Sequence, residues 1–236
     1  MKIKFDFSPN FSKKTRFKTE IKYVIFHYTG MQSEIESIKR LKNPNSKVSC
    51  HYLISRNGLI TQMVKDQNIA WHAGKSKWKR LNNLNEKSIG IELVNKGHKI
   101  GYQNFKKAQI KSLIQLCRNL KKKYSIKKEN FLGHSDIAPL RKKDPGEKFP
   151  WQKLSKLKIG KWYKTSINSK KKLTETKTDF FKNLYKLGFR YYNLNKRTIT
   201  DKKIIRCFQQ HYLPKSVTGK IDKKTLKISH YLANQP

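Results

Sequence analysis

Residues 133–151 read GHSDIAPLRKKDPGEKFPW, and the organisation of the whole chain follows from how this stretch can fold. Pro139, Pro145 and Pro150, with Gly133 and Gly146, rule out one continuous helix, because proline lacks the backbone donor and its ring clashes with the preceding turn. What remains is a stiff loop able to bring a ring nitrogen and a carboxylate to one point. His134, Lys142 and Asp144 stand in it at i, i+8 and i+10. His134 and Asp144 have the look of a metal-ligand pair carried by a loop. A catalytic zinc usually takes three protein ligands and keeps its fourth position for water, so the third donor has to come from another element.

The best donor is His27, in YVIFHYTG at 23–30. Residues 23–26 are aromatic and β-branched, which predicts a buried strand ending at Thr29-Gly30. A histidine at the exit of a core strand sits where a site can form at the sheet edge. Taken alone, it could equally be a core histidine satisfied by a hydrogen bond. A second strand is predicted at SIGIELVN, 88–95, with Ile89, Ile91 and Leu93 on one face and Gly90, Glu92 and Val94 on the other. A carboxylate in an otherwise apolar strand is costly unless it is paired, hydrogen-bonded or used. Glu92 is therefore either a general base for an attacking water or the partner of one of the many lysines.

Other elements fall into place around these two strands. Residues 32–41 predict a helix with Ile35, Ile38 and Leu41 on one face, ended by Lys42-Asn43-Pro44-Asn45. Residues 49–54 and 59–64 flank Arg56-Asn57-Gly58, a strong hairpin signal; His51 on its first strand reads as structural. Residues 104–124 predict a long amphipathic helix whose apolar side carries Ile110, Leu113, Leu116 and Leu120 and which should cover the sheet. The fold class is α/β: a mixed central β-sheet flanked by helices, followed by a small C-terminal three-helix domain.

The pieces VIFHYTG, HYLISRNGLI, WHAG, SIGIELVN and GHSDIAPLRKKDPG stand in the order found in bacterial zinc N-acetylmuramoyl-L-alanine amidases. Residues 20–160 resemble that amidase-2 family, relatives of the phage amidases and the peptidoglycan recognition proteins, and the GHSDIAP…RKxDPG segment is the most specific part. The resemblance implies a hydrolase that cuts the amide joining the lactyl group of N-acetylmuramic acid to L-alanine of the stem peptide. It implies zinc held by His27, His134 and Asp144, with Glu92 as general base and the Lys142 ammonium facing the developing oxyanion. It also implies that His72, in the WHAG loop, lines the substrate cleft without binding metal; a packed loop histidine is the other reading. One departure stands out: a tyrosine often precedes the hairpin histidine in phage-type relatives, and Cys50 occupies that position here.

The chain has 236 residues, enough for one substantial domain and a small one. Its 12 Phe, 11 Tyr and 4 Trp exclude a disordered polycation despite 55 Lys+Arg against 15 Asp+Glu, a formal charge of +40. Such a balance suits a polyanionic partner, yet the lysines are spread along the chain with no nucleic-acid-binding motif, so solvated lysines replacing other polar residues explain it better. Cys50, Cys117 and Cys207 are odd in number and far apart, which predicts free buried thiols. Residues 1–20 read as a polar lead-in whose Phe5, Phe7, Phe11 and Phe17 pack onto the domain surface, with no apolar run suited to a signal peptide or membrane helix. That places the protein in the cytoplasm if Met1 is its true start, and in the periplasm or envelope if a leader was removed. A monomer is the default.

Beyond the amidase-like region, 1–160, residues 161–175 read as a lysine-rich linker and 176–236 as the helical domain. Its helices are expected at 179–187, 201–211 and 222–232, each opening on Asp or Thr-Asp as helix N-termini favour. Phe208-Gln209, Thr218-Gly219, Asp222 and Thr225 resemble the pattern of small helical peptidoglycan-binding domains; a generic packing domain is the alternative. The helical domain argues for polymeric wall as substrate, and the missing leader for soluble muropeptides. Two other classes remain in view. A non-catalytic peptidoglycan-binding protein would keep the fold and lose a ligand, whereas here every ligand is present. A nucleic-acid-binding protein would explain the charge but not the constellation of His27, Glu92, His134, Lys142 and Asp144.

Overall fold

The computed structural model describes residues 2–163 and 176–235. Within the first segment the order is β1 (Ile3–Phe5), β2 (Phe11–Thr15), β3 (Tyr23–Tyr28), α1 (Glu34–Lys42), β4 (Tyr52–Ile54), β5 (Ile60–Gln62) and β6 (Asn68–Ala70). It continues with β7 (Lys77–Trp78), β8 (Leu81–Asn82), β9 (Ser88–Leu93), α2 (Gly97–Ile100), α3 (Lys107–Tyr124), β10 (Phe131–Gly133), α4 (His134–Ile137) and α5 (Trp151–Ser155). The second segment holds α6 (Lys177–Leu187), α7 (Asp201–Tyr212) and α8 (Lys223–Ala233).

Six strands form the central sheet in the order β1-β5-β4-β9-β3-β10. The neighbours from β4 through β9 and β3 to β10 pair in parallel, while β5 runs antiparallel to β4 across the turn at Arg56-Asn57-Gly58. The sheet is mixed, as the element pattern implies. Alternation along β3 buries both of its faces, which is the usual condition of a parallel strand. Val24 and Phe26 join Ile89, Ile91 and Leu93 in a core covered by α3 through Leu113, Leu116 and Leu120. Tyr23 and Ile25 face the other way, into a core shared with Leu132, Phe180, Ile204 and Phe208. The C-terminal helices thus form the second covering layer of the sheet.

Two expectations need correction. The N-terminal lead-in is not a polar tail with aromatics laid on the surface: β1 extends the sheet by pairing with β5, and β2 pairs with β6. Backbone hydrogen bonds hold these strands, and such bonds leave no apolar signature in the sequence. Phe17 is 80 % exposed, and Phe5 and Phe7 are also exposed. In α1, Ser33 caps the helix by accepting from the Glu36 amide, and Leu41 is buried, but Ile35 projects into solvent at 67 % exposure. The helix begins later than expected, and only its last two turns meet the core.

The hairpin, the amphipathic α3 and all three C-terminal helices lie where the sequence places them, and the three cysteines are free and buried. Most of the expected linker, 164–175, lies outside the described residues; Trp162 and Tyr163 at its start pack against the core. The Phe208-Gln209 motif works inside the helical unit. The buried Gln209 amide donates to the Lys220 carbonyl at 2.8 Å and to Thr218 and Thr225 hydroxyls, and accepts from the Gly219 amide, while Asp222 caps α8.

Candidate metal centre

Register builds the site. In the parallel pairing of β3 with β9, His27 lies opposite Glu92, and on the other side Phe26 lies opposite Gly133, the last residue of β10. Neighbouring strands are ~4.8 Å apart, so Glu92, His27 and His134 form a row across the carboxyl ends of three parallel strands. That is where ligands bind in open α/β sheets. The proline-rich loop then turns back and delivers Asp144, its backbone fixed where the Ser135 amide donates to the Asp144 carbonyl at 2.8 Å. His27 Nδ1 and His134 Nδ1 are 2.9 Å apart, and each lies 3.0 Å from Asp144 Oδ2.

Hydrogen bonding determines which ring nitrogens carry protons. Ser88 Oγ donates to the Leu84 carbonyl at 2.5 Å, so it accepts from His72 Nε2 at 3.2 Å. His72 Nδ1 is then an acceptor, and His27 Nε2 donates to it at 3.1 Å. His134 Nε2 lies 3.1 Å from the Ala73 carbonyl and 3.2 Å from the Arg141 guanidinium; the carbonyl accepts from it in the tautomer that frees Nδ1 for a metal. Both Nδ1 atoms are left as bare lone pairs pointing at a carboxylate oxygen. Three acceptors converging in a buried space fit a bound cation, and their second nitrogens are tied as those of metal-ligating histidines usually are. His27, His134 and Asp144 form a group able to hold a metal ion.

The electrostatics agree. Burial, then the neighbouring His134, pushes His27 down to about 4, so its ring is neutral and available near neutral pH. Burial alone would raise the Asp144 carboxyl; with protons on His134 and His27 in the metal-free site, their charge and hydrogen bonds outweigh it and hold the group well below the usual carboxylate range, a task that a bound cation takes over when those protons leave. Glu92 is raised to about 8, chiefly by burial and then by Asp144, with Lys142 opposing. Its Oε2 is screened from solvent and has no hydrogen-bond partner among the described residues. An unpaired carboxylate on a central strand, facing a metal site, is a group held ready for a proton.

The centre opens into a cleft of about 520 Å³ lined by Glu92 and Lys142 together with Tyr28, Arg40, Lys96 and Arg141. His72 borders this cleft but is almost fully buried, its ring given to His27 and Ser88. His51 belongs to the framework: its Nδ1 accepts from the Gly90 amide at 2.9 Å, and its Nε2 meets the Asn68 carbonyl at 3.1 Å. Three residues were not foreseen. Tyr28 Oη meets His98 Nδ1 at 2.9 Å and His98 Nε2 meets Glu147 at 3.0 Å, a brace from β3 to the metal loop. Tyr28 adjoins His27 in YVIFHYTG and could have been suspected; nothing local marks His98 or Glu147.

Residues 17–147 match the family Amidase_2, N-acetylmuramoyl-L-alanine amidase. The chain belongs to this family. Over 230 residues the amidase is 36 % identical to the N-acetylmuramoyl-L-alanine amidase AmiD of Escherichia coli K12, covering 90 % of this chain and 82 % of that one. It is 44 % identical over 108 residues to the 1,6-anhydro-N-acetylmuramyl-L-alanine amidase AmpD of Haemophilus influenzae, covering 45 % and 56 % of the two chains. The amidase superposes on AmiD from E. coli in complex with the substrate anhydro-N-acetylmuramic acid-L-Ala-D-gamma-Glu-L-Lys with a TM-score of 0.81, at 34 % identity and with 90 % and 88 % of the chains covered. AmpDh3 from Pseudomonas aeruginosa in complex with anhydromuramic pentapeptide gives 0.84 at 29 % identity, with 95 % of each chain covered. The amidase is thus an enzyme that hydrolyses the bond between N-acetylmuramic acid and L-alanine, and the non-catalytic alternative falls away.

Proposed function

We propose that the metal of this amidase is zinc, held by His27, His134 and Asp144, and that soluble anhydromuropeptides are among its substrates. The observation that carries the reading is the convergence of two bare imidazole Nδ1 atoms and a carboxylate oxygen within about 3.0 Å, one strand away from the unpaired Glu92. Two nitrogens and one oxygen make a donor set suited to catalytic zinc. When bound, zinc supplies Lewis-acid activation of water and of the scissile carbonyl.

The chain's own residues do the rest. Glu92 accepts the proton of the attacking water as its oxygen bonds to the carbonyl carbon, and returns that proton to the amide nitrogen as the carbon–nitrogen bond breaks. The products are the free lactyl carboxylate and the L-alanine amine. Lys142 brings its ammonium from the metal loop to the same cleft, where it opposes the charge growing on the carbonyl oxygen. Arg40 and Lys96 on the walls favour the free carboxylates of a stem peptide.

Mass spectrometry of the products tests this. The purified protein, with and without chelator, is incubated with intact sacculi and, separately, with an anhydromuropeptide. Release of free stem peptide from the soluble substrate, lost on chelation and restored by zinc, is the expected result. E92Q should bind zinc like the parent and lose about 10²–10⁴ in kcat. Activity that survives complete removal of metal would refute the zinc reading, and release from sacculi alone would refute the substrate.

A further inference from the structure

One face of α7 runs along the metal loop. Lys203, Cys207, Gln210 and His211 follow one another at helical spacing and reach toward residues 136–151. Cys207 Sγ lies 3.6 Å from the Pro139 carbonyl, and Lys203 Nζ lies 3.4 Å from that of Leu140. Gln210 donates to Glu147 at 3.1 Å. His211 Nδ1 meets Asp136 Oδ2 at 2.9 Å, and its ring stacks on Trp151 with centroids 3.8 Å apart. His211 and Asp136 are both buried.

Asp136 has a second task. The same Oδ2 accepts from the Gly133 amide at 2.7 Å, closing the turn from β10 into α4 immediately before the ligand His134. Its Oδ1 has no partner among the described residues. A buried carboxylate with so few donors depends on each of them. Without His211, Asp136 would keep one amide donor in a site closed to water, and the turn that aims His134 would lose its anchor. The neighbouring Gln210 reaches the other histidine ligand by a second route, through Glu147 and His98 to Tyr28, the residue after His27.

We infer that His211 is a positioning residue of the metal centre: through Asp136 and Gly133 the C-terminal helical unit sets the aim of His134. This gives that unit a role in metal binding distinct from any grip on the wall. The inference rests on the reading of His134 as a ligand. It concerns no atom that touches substrate, so its signature is metal affinity and ligand geometry.

The test uses the full-length chain. H211F keeps the volume and the stack on Trp151 but removes the hydrogen bond; H211N keeps an amide nitrogen where Nδ1 stood and removes the stack. F180L, in the same helical unit and away from the loop, controls for general loosening. Zinc affinity is read by competition with a chromophoric chelator, and ligand geometry from the absorption spectrum of the cobalt-substituted protein. H211F is expected to lose about 10–100-fold in zinc affinity, the usual effect of removing such a support, and to alter the cobalt spectrum. H211N should stay within a few-fold of the parent, and F180L should lower Tm alone. A parent that binds one zinc beside an H211F that binds it equally well overturns the positioning role and leaves the metal site standing. A parent that binds no zinc overturns both. Equal losses in H211F and F180L also overturn it, since the effect would then be loosening of the unit.

Discussion

Glu92 sits in surroundings that discourage its charge. Burial, and next the Asp144 carboxylate, raise it from an ordinary 4.5 to about 8. Between those values the folded, metal-free protein holds a proton that the unfolded chain has released, so folding binds a proton there. Stability from this group is therefore fully present below about 4.5 and is lost as pH rises through about 8. A cation in the adjacent site acts in the opposite direction, stabilising the carboxylate form that the proposed general-base role requires. In chelator-treated protein, E92Q should therefore gain stability relative to the parent as the pH is raised from about 5 to about 8.5, because glutamine does not titrate. Urea midpoints at the two pH values measure the difference; a constant gap would show that Glu92 is not the group responsible. At this scale the sequence spoke clearly. A lone acid among Ile89, Ile91 and Leu93 is conspicuous because apolar strands seldom tolerate one. His98 and Glu147, by contrast, are ordinary polar residues in ordinary polar stretches, and only their meeting gives them a task.

Strand β9 is more than the carrier of Glu92. Gly90, two residues earlier and on the same face, leaves room for the ring of His72: a Cβ there would sit 2.3 Å from its Cγ and 2.6 Å from its Nδ1. That Nδ1 is the atom to which His27 donates, and the ring is also packed between His27 and His51. It has nowhere to go. G90A is expected to destabilise the protein by about 1–3 kcal/mol, as overpacking of a filled interior does. Because the displaced ring fixes the tautomer of His27, the proposed ligand, zinc affinity should fall as well. Thermal unfolding with zinc and with chelator separates the two effects, and a G90A protein with the parent's zinc affinity would refute the role given to His72. Strand existence and facing were legible here because a period of two survives in SIGIELVN. The reason for Gly90 was not, since the ring it accommodates comes from a loop with no sequence signal for its destination.

Across the whole molecule, the two faces of the sheet are covered by different parts of the chain. Helix α3 covers one and the C-terminal helices cover the other, where Tyr23, Ile25, Leu132 and Ile137 meet Phe180, Ile204 and Phe208. A fragment ending at residue 163 would expose that second face as a continuous apolar patch of the kind that drives aggregation. It should be insoluble or unfold far below the full-length protein. Size-exclusion chromatography and thermal unfolding of the fragment give the answer, and a monomer with the parent's Tm would show the layer to be dispensable. The sequence drew two segments correctly as helical and α/β, yet shared burial cannot be read from either one. Each helix of 176–236 has an apolar side that would suit an independent bundle as well as a sheet.

Local pattern alone therefore determined the strands at His27 and Glu92, the hairpin at Asn57-Gly58, the amphipathic α3, the helix starts at Asp201 and Asp222, and the stiff loop bearing His134 and Asp144. These follow from periodicity, capping and proline stereochemistry, which act over a few residues. Tertiary structure decided the rest: that β9, β3 and β10 are neighbours, that β1 and β2 pair at all, and that His211 lies 2.9 Å from Asp136. Those contacts join residues far apart in the chain, and their selection depends on which combination of buried surfaces and satisfied polar groups is lowest in free energy for the molecule as a whole.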